Sequence, residues 1–166
     1  MLDLSPLYAY FAGEKGAAWS ALGLGVLSLT AAGLLWRSDI AHRAMWWPLA
    51  IAGLIQLAIP VVLLTRTDPQ VAALDKAVAD VGPIAALGAE QKRMDAVNRQ
   101  FTVLKIAWVA LIVLGLGLVF ASGRPSPQAV GAGLLIEAAL VLAFDMVAAE
   151  RAEVYARWLG SQLGTG

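Results

Sequence analysis

Four apolar stretches alternate with polar segments along this chain of 166 residues. The first two stretches contain no charged residue and no histidine, the third carries Lys105, and the fourth carries Glu137 and Asp145. A helix crosses the roughly 30 Å hydrocarbon core of a bilayer with about 20 apolar residues. The pattern therefore predicts an all-α, polytopic membrane protein with four transmembrane helices, over residues 17–36, 44–65, 102–122 and 128–149.

The polar segment 66–100, between the second and third spans, carries helix signals of its own. Asp68 suits an N-cap, and Pro69 suits the first helical position, where its missing N–H would be unpaired anyway. Apolar residues then recur at helical spacing in two groups, which are Val71, Leu74, Val78 and Val81, and then Leu87, Met94, Val97, Phe101 and Leu104. We predict a helical hairpin over 68–100 that stands on the membrane, with its stripes facing each other or the lipid surface. The alternative is a disordered loop, because Gly82, Pro83 and Gly88 weaken the middle of the segment.

Both ends of the chain carry apolar residues among polar ones. Residues 1–15 include Tyr8, Tyr10 and Phe11, which we expect to lie along the membrane interface. The amphipathic tail 150–163 predicts either an extension of the fourth span or an interfacial helix. Because the four spans use most of the chain, we expect a single integral membrane domain over residues 1–166.

The basic residues predict the orientation of the chain. Four spans put both termini and the 66–100 segment on one side, and that side holds most of the lysines and arginines. These are Lys15, Arg66, Lys76, Lys92, Arg93, Arg99, Arg151 and Arg157, against Arg37, Arg43 and Arg124 on the other side. Since basic residues concentrate on the cytoplasmic side, we expect both termini to be cytoplasmic, with the protein in a bacterial plasma (inner) membrane.

Composition excludes several classes of site. Hydrophobic residues make up 60% of the chain and charged residues 14%, with 12 basic and 12 acidic side chains. There is no basic stripe for nucleic acid. The chain has no cysteine and one histidine, His42, so a cysteine-based zinc centre is ruled out and no metal or other cofactor is expected. Because the chain has no cysteine and only one histidine, an enzyme is the less favoured class of protein.

Small and acidic residues form a ridge along the fourth span. Five of its six members are small or acidic, and successive members are four residues apart: Ala129, Gly133, Glu137, Val141, Asp145 and Ala149. Small residues let a neighbouring helix approach closely, so we expect both carboxylates to point into a helix contact. Counting from the turn near residue 124 puts Lys105 and Asp145 at one depth. They are a candidate ion pair, serving either as an inner gate or as a structural pair at the interface.

A second group of polar residues is predicted near the middle of the bilayer. Glu137, Gln56 and Ser28 lie about eight to ten residues from the same end of their spans, by counting along helices. Pro60 cannot donate an N–H to the carbonyl of Gln56, which leaves that oxygen free. These four residues are the candidate ligand- or ion-binding site. The alternative is a buried, hydrogen-bonded packing cluster without a ligand.

Three functions follow from these features. The first is a channel- or transporter-like protein, oligomeric because one four-span unit has little interior, that binds or passes a cation, proton or small polar solute at Glu137. The second is a non-catalytic accessory, immunity or scaffold protein that binds another membrane protein through 66–100 and the tail. The third is an intramembrane enzyme acting on lipid or quinone, which the separation of Glu137 and Asp145, about 12 Å along the helix, disfavours.

Overall fold

Four long helices account for nearly all of the chain in the computed structural model, which describes residues 3–38 and 42–164. The helices are α1 (Ser5–Trp36), α2 (Trp46–Val81), α3 (Pro83–Ala121) and α4 (Pro125–Leu163), with a 3-10 turn at Arg43–Met45 before α2. No strand occurs in these described ranges, which confirms the all-α prediction. Residues 39–41 of the predicted loop between the first two spans lie outside the described chain.

The helices are much longer than a bilayer requires. They contain 32, 36, 39 and 39 residues, and about 20 residues already cross the hydrocarbon core. Each has an apolar section long enough to span a membrane. We call these sections (residues 17–36, 43–65, 102–121 and 125–149) the apolar half, and the remaining sections (residues 5–16, 66–101 and 150–163) the polar half.

Turns at glycine and proline join α2 to α3 and α3 to α4. Between α2 and α3 the chain reverses at Gly82, whose φ of 88° is rarely adopted by residues with a side chain. Pro83 follows at the first position of α3, where its missing N–H costs nothing. Pro125 begins α4 in the same way. These residues therefore start the helices without polar side-chain caps.

Close glycine contacts hold the helices together in two antiparallel pairs, α1 with α2 and α3 with α4. In the first pair, a Cβ on Gly25 would lie 3.0 Å from the carbonyl oxygen of Gly53. In the second, a Cβ on Gly131 would lie 2.6 Å from the carbonyl oxygen of Gly115. Such contacts need residues without side chains. The ridge of small residues predicted on the fourth span is buried at Ala129, Gly133, Glu137 and Ala149.

We expect Gly131→Ala to destabilise the α3–α4 pair by about 1–3 kcal/mol, because the new methyl group overpacks a backbone contact that cannot move aside. Thermal unfolding in detergent measures the change. Gly117→Ala is the matched control, since Gly117 lies on α3 with nothing within 4 Å of an added Cβ. An equal loss of stability in both variants would contradict the close-contact explanation.

The polar half contains the principal buried core of the molecule. All of α1, α3 and α4 contribute to it, through Leu7, Phe11, Leu87, Met94, Ala152, Tyr155, Ala156 and Leu159. The expectation that residues 1–15 lie along the membrane interface is wrong for Phe11, which is buried, and for Tyr10, which stacks on Tyr155 at a centroid distance of 4.5 Å. The aromatic rings gain more contact area inside this core than on a flat surface.

One charged group is buried in this core. Glu90 accepts two hydrogen bonds from Arg93, at 2.8 and 2.6 Å, and one from the Tyr155 hydroxyl at 3.3 Å. Burial alone would lower the pKa of Arg93, but the hydrogen bonds and charge of Glu90 outweigh it and raise that pKa. Burial and then the Glu90 charge raise the pKa of Tyr155. Arg93 therefore stays charged and Tyr155 neutral, which suits this hydrogen-bonded set.

The predicted start of a separate helix at Asp68 is wrong. Helix α2 continues through Pro60 and Pro69 without a break, and the Asp68 carboxylate pairs with Lys15 of α1 instead of capping a helix. Further along, Tyr8 donates to Asp75 at 2.9 Å. Both contacts join this part of α2 to α1. The helix-start signal at Asp68 and Pro69 therefore does not end α2, which continues as one helix to Val81.

The hairpin and the tail pack into the bundle. The stripe from Leu87 to Phe101 faces a core shared with α1 and α4, not the hairpin alone. The tail is an uninterrupted extension of α4, buried at Tyr155 and Leu159, and not a separate interfacial helix. Part of each apolar stripe is therefore buried within the chain, whereas Val81 and Val154 stay exposed. Binding of a partner protein through 66–100 and the tail stays a prediction.

Candidate functional site

A cavity of about 470 Å³ separates the two helix pairs in the apolar half. All four helices contribute to its wall, which is mainly aliphatic and aromatic and extends from Trp47 near one end to Arg66 at the polar half. The pairs meet below the cavity, in the core of the polar half, and above it, where Gly133 of α4 contacts Pro48 and Met45. The helix pairs therefore contact each other at both ends of the cavity, which is not closed along its sides.

Glu137 and Gln56 form a polar patch on this wall. The Gln56 side-chain amide donates to Glu137 Oε2 at 2.7 Å, and Ser28 Oγ donates to Gln56 Oε1 at 3.4 Å. Glu137 is only 5% exposed. Within the described chain, its second carboxylate oxygen accepts no hydrogen bond. The sequence-predicted residues Glu137, Gln56 and Ser28 are thus joined in one hydrogen-bonded row.

Pro60 lies one helical turn from Gln56 and is also part of the cavity wall. It is buried within an unbroken helix. Because a proline has no backbone N–H, it donates no hydrogen bond to the carbonyl of Gln56. Ser28 does not line the cavity and supports Gln56 from behind. Of the four predicted site residues, Glu137, Gln56 and Pro60 therefore border the cavity directly.

The predicted Lys105–Asp145 ion pair is not formed as a direct contact in the described chain. Asp145 instead accepts a hydrogen bond of 2.7 Å from the indole N–H of Trp108. Trp108 lies one helical turn beyond Lys105 on α3, and its N–H, unlike an ammonium group, fits beside an apolar cavity. Asp145 and Trp108 line the cavity, whereas Lys105 does not.

Charged residues surround the cavity where it reaches the polar half. Arg66 lies 3.5 Å from Glu14, which also accepts a hydrogen bond from Thr67 at 3.3 Å. Arg151 donates to the backbone oxygen of Gly13. Both guanidinium groups therefore have partners on α1, and they tie α2 and α4 to that helix.

The arrangement has the features of a ligand pocket. Pockets for small molecules measure about 300–1,000 Å³ and combine apolar walls with a few polar groups. Here the polar groups that line the cavity inside the apolar half are two carboxylates, an amide and two indoles. Among the described residues, no group of three or more His, Asp or Glu side chains could hold a metal ion.

Sequence reasoning missed Trp108, Glu14, Arg66 and Arg151 as members of this site. Trp108 lies four residues before Ile112, in the middle of the third apolar stretch. A tryptophan at such a position is expected to face lipid. The useful signal was that an uncharged donor at the depth of Asp145 suits its carboxylate better than a lysine within hydrocarbon.

Comparison with protein-family models, with curated proteins and with solved structures finds no match to this chain.

Proposed function

We propose that this protein is a small membrane protein that binds a cation or proton at Glu137, inside the cavity between its two helix pairs, and passes it across the bilayer. The observation that carries the proposal is a buried carboxylate, with one oxygen unpaired in the described chain, on the wall of a cavity at bilayer depth. Charged residues inside a membrane are costly, and where they occur they commonly mark ion or proton pathways.

The neighbouring groups favour this function over a purely structural role. Gln56 and Ser28 orient one edge of the carboxylate through a single row of hydrogen bonds. The second oxygen accepts no hydrogen bond within the described chain, and Glu137 lines the cavity, so a cation or water there can reach this oxygen.

Reconstitution in liposomes tests the proposal. A potassium gradient with valinomycin sets a membrane potential, and a trapped pH-sensitive dye reports proton movement. We expect flux well above that of protein-free liposomes, and we expect Glu137→Gln to reduce it to the protein-free level, since the amide cannot carry a proton or pair with a cation.

Glu150→Gln is the matched control, because Glu150 lies on the same helix but is exposed and outside the cavity. It should leave the flux unchanged. Wild-type flux no greater than that of empty liposomes, or equal flux in wild type and Glu137→Gln, would exclude the proposed role of Glu137.

A further inference from the structure

We propose that the ligand of this cavity is an apolar organic cation, which enters sideways from the bilayer between α2 and α3. This inference rests on the proposed function and names its substrate class. Three independent features carry it: where the cavity is open, which charges lie inside it, and which rings form its wall.

The opening of the cavity lies along α2. Ile51, Ile55 and Ile59 follow one another at single helical turns, line the cavity, and are 52%, 46% and 57% exposed. Leu104, across from them on α3, lines the cavity and is 39% exposed. A side chain that both lines a cavity and is exposed lies at its mouth.

The cavity is less open between α1 and α4. Of the described lining residues on these helices, Ala18, Ala21 and Leu24 are buried or half-buried, and Phe144 is 38% exposed. The mouth between α2 and α3 therefore opens at the depth of the apolar half and is bordered by aliphatic side chains. A molecule that dissolves in hydrocarbon can reach the cavity through this mouth, where a hydrated ion would meet an apolar barrier. Gln100 and Arg66, which line the cavity and are also exposed, mark a second and polar access at the polar half.

The charges within the apolar half select a cation. Glu137 and Asp145 line this section, and no lysine or arginine does. The two guanidinium groups at the far end already have partners, Arg66 with Glu14 and Arg151 with Gly13. Only Arg66 has a carboxylate partner, since the Gly13 oxygen that Arg151 binds is neutral. Within the apolar half, however, an anionic ligand would approach two carboxylates and no basic side chain on the wall, while a cation can pair with the free oxygen of Glu137.

Aromatic rings on the wall suit the same class of ligand. Trp47, Phe101, Trp108 and Phe144 come from three helices and line the cavity. The face of an aromatic ring attracts a cation, and the attraction is stronger when the site is free of water. A positively charged nitrogen or phosphorus centre carrying apolar groups combines this attraction with burial of its own apolar surface.

Binding of tetraphenylphosphonium tests this assignment, with tetraphenylborate as a probe of the same shape and opposite charge. Purified protein in nanodiscs of zwitterionic lipid is titrated by calorimetry, and the signal of protein-free nanodiscs is subtracted. We expect saturable binding of tetraphenylphosphonium only. Glu137→Gln should weaken it at least about tenfold, equivalent to about 1.4 kcal/mol, because the substitution removes the buried charge partner of the cation.

Tryptophan substitutions test the route of entry. Ile55→Trp places a larger side chain at the mouth, and Leu54→Trp is its matched control, since Leu54 is exposed on the same helix but does not line the cavity. Rapid filtration with radiolabelled tetraphenylphosphonium should give an association rate lowered at least about fivefold by Ile55→Trp, since entry rate depends on access. Equal rates in the two variants would overturn entry between α2 and α3.

The outcomes separate this inference from the proposed function. Equal saturable binding of both probes, or binding of neither, overturns the assignment to organic cations. Proton flux that depends on Glu137, observed together with either result, leaves the proposed function standing. Absence of both flux and binding overturns the two together.

Discussion

Replacing Glu90 with alanine is expected to lower the free energy of unfolding of the polar half by about 3–5 kcal/mol, the cost of leaving one partner of a buried ion pair uncompensated. Glu90 holds Arg93 through two hydrogen bonds and Tyr155 through a third. Without the carboxylate, the Arg93 guanidinium remains charged beside the ring of Phe11. The Cζ atom of Arg93 lies 5.8 Å from the centroid of that ring. The core must then admit water or let Arg93 turn outward.

Native-state hydrogen exchange measures this effect where it occurs. Protection of the amides around Tyr155 should fall by about two to four orders of magnitude, since 1.4 kcal/mol corresponds to a factor of ten. Asp95→Ala is the control, because Asp95 is exposed on the same helix and surface changes usually stay within about 0.5 kcal/mol. Similar protection in Glu90→Ala and Asp95→Ala would mean that the buried pair contributes nothing to stability.

Leu159→Ala is expected to destabilise the polar half by about 2–5 kcal/mol, the range found when large aliphatic side chains are removed from a core. Leu159 is fully buried and packs among residues of α1, α3 and α4. The substitution removes apolar contact and leaves a void that rigid helices close only in part. Thermal unfolding in detergent, with hydrogen exchange of α1 as a second probe, measures the loss.

Val154→Ala provides the comparison for Leu159→Ala. Val154 lies on the same helix and is 53% exposed, so its truncation should cost far less. A Leu159 variant as stable as the Val154 variant would show that the tail does not contribute to the core. It would also remove the reason to regard residues 150–163 as part of the bundle.

Much of the fold follows directly from the sequence. The four apolar sections are confirmed as helices long enough to cross a membrane, because runs of about 20 apolar residues have few other stable arrangements. Counting depth along those helices also predicted that Glu137, Gln56 and Ser28 would lie at one level, and hydrogen bonds join them. Their role in binding a ligand stays a prediction.

Other features depend on contacts between distant segments, which periodicity does not reveal. Asp68 and Pro69 carry a helix start signal, but α2 continues through both, and the Asp68 carboxylate pairs with Lys15 of α1. Phe11 looked interfacial because its buried neighbours, such as Tyr155, are more than a hundred residues away in sequence. Depth alone likewise could not choose between Lys105 and Trp108 as the partner of Asp145, since both lie on the same side of α3.

The row of isoleucines at Ile51, Ile55 and Ile59 has a consequence for measurements in lipid. In a bilayer this row borders phospholipid tails, and a tail will fill the space beside it when nothing else does, because an empty void forfeits dispersion contacts. Any incoming molecule must displace hydrocarbon, so the surrounding phospholipid acts as a competitor. The apparent dissociation constant of tetraphenylphosphonium should therefore change with the length and unsaturation of the acyl chains. Dissociation constants measured in detergent should likewise differ from those measured in a bilayer.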